Sequence, residues 1–99
     1  MSPLFVLKLH RRIFAQIFHL KGEPKVTLNC TSESAEFYRM IYPDSVVRGW
    51  HYPPVMHPYF NTVSLDETVP DNEIFLMIDH AYKVVVAKYP KYIQKEINI

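Results

Sequence analysis

The most constraining feature of this chain is a run of apolar residues near its C-terminal end. Ile74, Met77, Ile78, Ala81, Tyr82 and Val85 recur at i, i+3, i+4, i+7, i+8 and i+11. That spacing places them on one stripe of an α-helix and on neither face of a strand. It predicts a long helix over about 72–89, capped by Asp71 after Pro70 and ended or kinked by Pro90. Phe75, Leu76, Val84 and Val86 lie off the stripe. A helix apolar over so much of its circumference usually touches something on a second side. These four residues are therefore the expected interface of a homodimer, with cover from the C-terminal "KYIQKEINI" as the alternative.

A helix with one apolar stripe needs a second layer to bury it. The first thirty residues provide that layer. "PLFVLKLH" and "RIFAQIFHL" are apolar runs hinged at Arg11-Arg12, rich in β-branched and aromatic residues. In the second run, Phe14, Phe18 and Leu20 share one strand face, and Ile13, Ala15 and Ile17 the other. A helix joining Ile13, Ile17 and Leu20 can also be drawn, but the short length favours strands. In the first run, Phe5, Leu7 and Leu9 on one face and Leu4 and Val6 on the other are all apolar, so that strand reads as covered on both sides. "KGEP" is a turn, and "KVTLNC" alternates as a half-buried strand.

Thr31 or Ser32 then caps a helix over roughly 33–42, with Glu33 in its first turn and Pro43 as its stop. Ala35, Tyr38 (or Phe37) and Ile41 make its inner face. "SVVRGWH" and "NTVSLD" are the fourth and fifth strands. The order β-β-β-α-β-β-α predicts an α+β fold: an antiparallel sheet of about five strands with helices on one face. Ninety-nine residues without repeats or a linker suit a single domain over 1–99.

Composition narrows the function. The net charge of +1 gives no global attraction to nucleic acid. The charges are nevertheless segregated. Residues 1–32 and 80–99 are basic, whereas residues 33–79 carry eight acids against Arg39 and Arg48. Lys8, Arg11 and Arg12 stand at one hairpin turn and Lys21 and Lys25 at the next, positions from which side chains can lie against phosphates. The plainer reading is two solvated hairpin ends.

Between Arg48 and Asp66 the chain is rich in rings and prolines. Trp50, His51, Tyr52, His57, Tyr59 and Phe60 could stack a ligand or pack a partner. Against this, the prolines fix the loop while its rings cover the open end of the sheet. The five histidines have no metal-binding spacing on one element, and Cys30 is the single cysteine, so no metal site is expected. Asp79 and His80 are adjacent on a helix and point about 100° apart, which rules them out as an acid–base pair. With Gly22 and Gly49 the chain's two glycines, a phosphate-cradling loop is excluded. No catalytic residue and no cofactor is expected. A lone thiol fits the cytoplasm, and no apolar run approaches the roughly 20 residues of a membrane span.

Three stretches together resemble one family. "VTLNCTSESAEFYRMIYPDSVV" has its strand, Ala-Glu helix and Tyr-Pro. "FNTVSLDETVPDNEIFLMIDHAYKVVVAKYP" is similar to its Trp-Asn-Thr strand, Leu-Pro-Asp helix start and Asp-x-Ser-Tyr segment, and His51 resembles the histidine after its fourth strand. From Leu4 to about Ile93 the chain resembles the MmcQ/YjbR family of small bacterial proteins. The resemblance implies a frataxin-like fold, DNA binding through a double-wing arrangement, no enzyme activity and no cofactor. Two departures matter. His57-Pro58 and Tyr59-Phe60 stand where members tend to carry Asn-Lys and His-Trp, which implies a poorer DNA contact in this loop. Members also begin with a helix before the first strand. This chain starts almost at the strand, which implies truncation or cover by another chain.

Overall fold

The computed structural model describes residues 5–50 and 52–97. Five strands form one sheet in the order β1-β2-β3-β5-β4, every neighbouring pair antiparallel: β1 Phe5–Leu9, β2 Arg12–Leu20, β3 Glu23–Asn29, β4 Val46–Arg48 and β5 Phe60–Ser64. Helix α1 (Ser32–Ile41) links β3 to β4, a 3₁₀ segment (Pro54–Tyr59) precedes β5, and α2 (Asp71–Val86) and α3 (Lys91–Ile97) complete the chain. The expected α+β order holds, with α3 added.

Register decides which side chains meet the helices. Leu7 pairs with Ala15 and Ala15 with Leu28; Ile17 pairs with Val26, Val26 with Val63 and Val63 with Val46. Side chains directly across a ladder share a face, so these rows form one apolar surface. Ile74, Met77 and Ala81 of α2 close over it to form the buried core. The opposite rows are more polar. The Thr27 and Thr62 hydroxyls bond each other at 2.8 Å, and Lys25 Nζ donates to Ser64 Oγ at 2.7 Å.

Several local expectations are corrected. A bulge sits opposite the Leu7–Lys8 step: Leu7 pairs with Ala15 and Lys8 with Ile13, leaving Phe14 as the extra residue. Phe14 therefore packs against the core, edge-on to Tyr82 at 5.6 Å, instead of sharing a face with Phe18. In α1, Ala35 is buried and Tyr38 half-buried, but Ile41 is exposed because it lies in the last turn, beyond the cover of the sheet. Of the two candidate caps, Thr31 is the N-cap; its hydroxyl accepts from Ser34 N at 3.2 Å. Asp71 does not cap α2. It is the first helical residue, Pro70 holds the cap position, and Asp71 and Glu73 instead face the positive end of the helix dipole. The helix stops at Val86, three residues early, because a residue before proline disfavours helical geometry and Pro90 restricts Tyr89. Leu4 lies outside the described residues.

Candidate functional site

The loop after β4 is held from α1. Arg39 Nε donates to Asn61 Oδ1 at 2.6 Å; its Nη2 donates to the carbonyls of Phe60 (2.9 Å) and His57. Asn61 Nδ2 returns a bond to Ala35 O at 3.2 Å. One guanidinium thus ties α1 to the 3₁₀ segment and to β5, and its planar fork suits three oxygens at fixed angles. Burial lowers the Arg39 pKa and Arg48 pushes it the same way, while Cys30 and Glu36 act against them.

The rings of this loop are largely spent on one another. Tyr52 stacks on Phe60, centroids 4.0 Å apart and planes 11° from parallel. His57 Nε2 pairs with Tyr52 O at 2.8 Å. Gly49 makes the fold of the loop possible: a Cβ there would stand 2.7 Å from Phe60 Cβ and 2.9 Å from Tyr52 Cδ2. Tyr59 (52% exposed) and Trp50 (42% exposed) are the more open rings of the set, and Trp50 N donates to Thr62 Oγ1. Tyr52 and Phe60 are therefore corrected from ligand platform to structural pair. His51 lies outside the described residues. Among the described residues, no three His, Cys, Asp or Glu side chains converge.

The basic residues do not form one surface. Lys8, Arg11 and Arg12 stand at one end of β2, and Lys21 and Lys25 at the other. Nine residues at ~3.3 Å each separate the two turns by roughly 30 Å. Lys25 is also engaged, with its ammonium bonded to Ser64 and 3.5 Å from Glu23. What joins the Arg11 end is the C-terminal segment. Tyr89 donates its hydroxyl to Leu9 O at 2.8 Å, Arg12 lies 5.3 Å over the Tyr89 ring, and His10 leans on the same ring at 5.5 Å. Arg11 and Ile93 complete an open concavity there. Lys88 and Lys91 flank Tyr89-Pro90 in the chain, so the two basic ends of the sequence meet at this tip.

On α2, Phe75 (68% exposed) and Leu76 (56% exposed) face outward as the pattern predicts. Val84 is half-buried and Val86 is buried. Val86 is corrected from interface to core.

Where β3 runs into α1, a cavity of ≈ 10 Å³ is lined by Asn29, Cys30, Ser34, Tyr38, Asn61 and His80. Burial pushes the Cys30 thiol up to about 11; Arg39 and a hydrogen bond from the Asn61 backbone pull it back only in part. His80 Nε2 accepts from Thr31 N at 3.4 Å. The Tyr38 hydroxyl is raised above its ordinary range by burial first, then by the charge and hydrogen bond of Glu73. Asn29, Arg39 and Asn61 escaped the reading of the sequence. Arg39 carries one signal: it is the single cation inside an otherwise acidic helix.

The geometry has counterparts elsewhere. A crystal structure of a Deinococcus radiodurans protein with a DUF419 domain superposes with a TM-score of 0.77 at 26% identity, covering 89% of this chain. The present chain spans 62% of that protein's length. A Pseudomonas syringae protein of known structure shares the fold at a TM-score of 0.61 and 13% identity, covering 74% of this chain and 67% of its own. The "Uncharacterized protein YjbR" of Escherichia coli K12 is 29% identical over 85 residues, which is 86% of this chain and 69% of that protein. The YjbR family model matches residues 2–84, and the chain belongs to the YjbR family.

Proposed function

We propose that this protein is a non-enzymatic binding protein that engages DNA weakly and without sequence preference through its Arg11 end. The observation that carries the reading is the meeting of Arg11 and Arg12 with the Tyr89 segment. Arg12 Cζ stands 5.3 Å over an aromatic ring, a contact that restricts the side chain and lowers the entropy lost on binding. Lys8 and Arg11 are exposed beside it, and Lys88 and Lys91 follow in the C-terminal segment. These groups offer three to five phosphate contacts, roughly, and no groove-reading element. The earlier set of five contacts is revised on this reading: Lys21 and Lys25 belong to the far end and drop out. Such binding fits a cytoplasmic protein. Among the described residues, no helix is long and apolar enough to cross a membrane.

The test is fluorescence anisotropy with a labelled duplex across a salt series. With about four contacts, log affinity should fall with log salt at a slope near −3.6. Arg11→Ala with Arg12→Ala should weaken binding and flatten that slope, whereas Lys21→Ala should do neither. Salt-independent binding, or equal loss from Lys21→Ala, refutes the proposal.

A second reading rests on Phe75 and Leu76. Large apolar side chains exposed on the outer side of a helix often mark an interface. On this reading two copies pair through the outer face of α2. Sedimentation equilibrium distinguishes it: a species of twice the mass that dissociates on Phe75→Asp supports pairing, and a single species near 11.7 kDa ends it.

A further inference from the structure

We infer that the DNA met at the Arg11 end is single-stranded, and that the concavity there takes one unpaired nucleotide, a conclusion that rests on the proposed DNA contact at that end. The concavity has a volume of ≈ 410 Å³, above the ~300 Å³ at which small-molecule sites begin, so a phosphate alone does not fill it. His10, Arg11, Arg12, Tyr89 and Ile93 line it: two arginines beside two rings and one aliphatic side chain, with no carboxylate among them. A double helix keeps its bases paired inside and offers phosphates to a surface contact, which leaves the rings and Ile93 without use. An unpaired nucleotide brings a phosphate and a flat base together.

Tyr89 is the backing of this site and His10 its platform. Tyr89 is half-buried, its hydroxyl donates to Leu9 O at 2.8 Å, and Arg12 Cζ already stands 5.3 Å over its ring. His10 is exposed and lines the concavity, with its ring held 5.5 Å from Tyr89 at 58°. His10 also holds φ 54°, in the left-handed region where a side chain is strained and glycine is the easier residue. Strain of this kind collects at ligand sites, and a phosphate contact alone has no need of a ring at that position. A base stacks on a histidine as on other aromatic rings, with Ile93 as the apolar wall and Arg11 and Arg12 on the phosphates. Charge alone favours the opposite form. Each phosphate contact releases about 0.9 counterion from a duplex and about 0.7 from a single strand, so a preference for the single strand reports the rings. The tip is also wider than the bare β-ribbon that fits a major groove, because Tyr89 ties the C-terminal segment beside it.

The experiment is fluorescence anisotropy with two labelled probes of equal phosphate number, an oligothymidylate and a blunt duplex, and with thymidine monophosphate as a competitor. The oligothymidylate should bind at least about fivefold tighter than the duplex, the lower end of what one base stacked on a ring contributes. The monophosphate, which brings a single phosphate, should compete far more weakly than unlabelled oligothymidylate. His10→Gly removes the ring and suits the left-handed backbone, so circular dichroism should show the fold retained. It should bring the single strand to parity with the duplex or below it and leave duplex affinity nearly unchanged. His10→Asn, which tolerates the same backbone, takes its place if the glycine loosens the turn. A duplex that binds as tightly as the single strand overturns the inference and leaves the DNA reading standing. A preference that survives loss of the His10 ring, or a monophosphate that competes as well as the strand, also overturns it. If neither probe binds, the DNA reading falls and this inference falls with it.

Discussion

Arg39→Ala should be the most damaging single change outside the apolar core. It removes three hydrogen bonds at once and leaves their acceptors behind. Asn61 is buried, so its Oδ1 loses its partner with no access to water and costs about 1–3 kcal/mol. Phe60 and His57 are half-buried, and their carbonyls regain water in part, which sets each near the low end of ~0.5 kcal/mol. The sum is about 2–4 kcal/mol, against a total stability on the order of 5–15 kcal/mol for a domain of this kind. At roughly 4–8 °C per kcal/mol, the midpoint should fall by at least 8 °C. Urea unfolding followed by Trp50 fluorescence and by circular dichroism measures it. Arg39→Lys keeps the charge but not the fork, so it should recover less than half of the loss. A double cycle with Asn61→Ala should show coupling of about 1 kcal/mol or more. An Arg39→Ala protein within ~0.5 kcal/mol of the parent, the range of ordinary surface changes, would refute the idea that one guanidinium holds the loop.

Further outcomes follow from the same geometry. Gly49→Ala should cost about 1–3 kcal/mol in thermal melts, since the new Cβ meets Phe60 and Tyr52 below contact distance. Cys30 should resist iodoacetamide at pH 8 and react at the full rate of an unfolded thiol once urea opens the fold; fast labelling of the native protein contradicts its burial. Because the folded thiol titrates near 11, above its unfolded value, the unfolded state releases its proton first, and stability should fall between about pH 9 and 11; Cys30→Ala should remove that slope in alkaline melts. The Thr68 hydroxyl and N–H hold the Asp66 carboxyl below its ordinary range. The stability this adds is present above the unfolded pKa and is lost as pH falls through the folded one; Thr68→Val should shift the Asp66 NMR titration upward.

How much of this was legible in the sequence depended on range. The α2 stripe was legible because its six apolar positions repeat at one period and point at one neighbour, the sheet. The strands and the Lys21-Gly22 turn were legible because alternation and turn chemistry are local; both residues hold positive φ, 53° and 83°, as a two-residue hairpin turn requires. The bulge at Phe14 was not, since one extra residue changes the face of a side chain without changing the pattern of apolar letters. The site residues were harder still. Arg39 finds acceptors 18 to 22 positions away, and Lys25 finds Ser64 39 positions away. No spacing rule reaches that far. Without the pairing of β3 with β5, an engaged lysine and a free one look the same.

The sheet order also explains why a net charge of +1 is a poor guide to what this protein meets. Its charges are separated, not sparse. Glu33 opens α1, and Asp71 and Glu73 open α2, each drawn to a helix N-terminus where the backbone dipole favours an acid. Those positions are set by the helices, so the acidic middle of the chain is fixed to the helical layer. Tyr89, by contrast, ties the C-terminal segment to Leu9, His10 and Arg12 at the turn between β1 and β2. The Debye length at physiological salt is about 8 Å, well short of the 28 Å of the molecule's smallest dimension. Under the proposed DNA binding, a polyanion at that turn responds mainly to the charges within about a Debye length of it. If DNA binds as proposed, the same screening keeps the contact short-ranged, so salt, more than base sequence, should govern it.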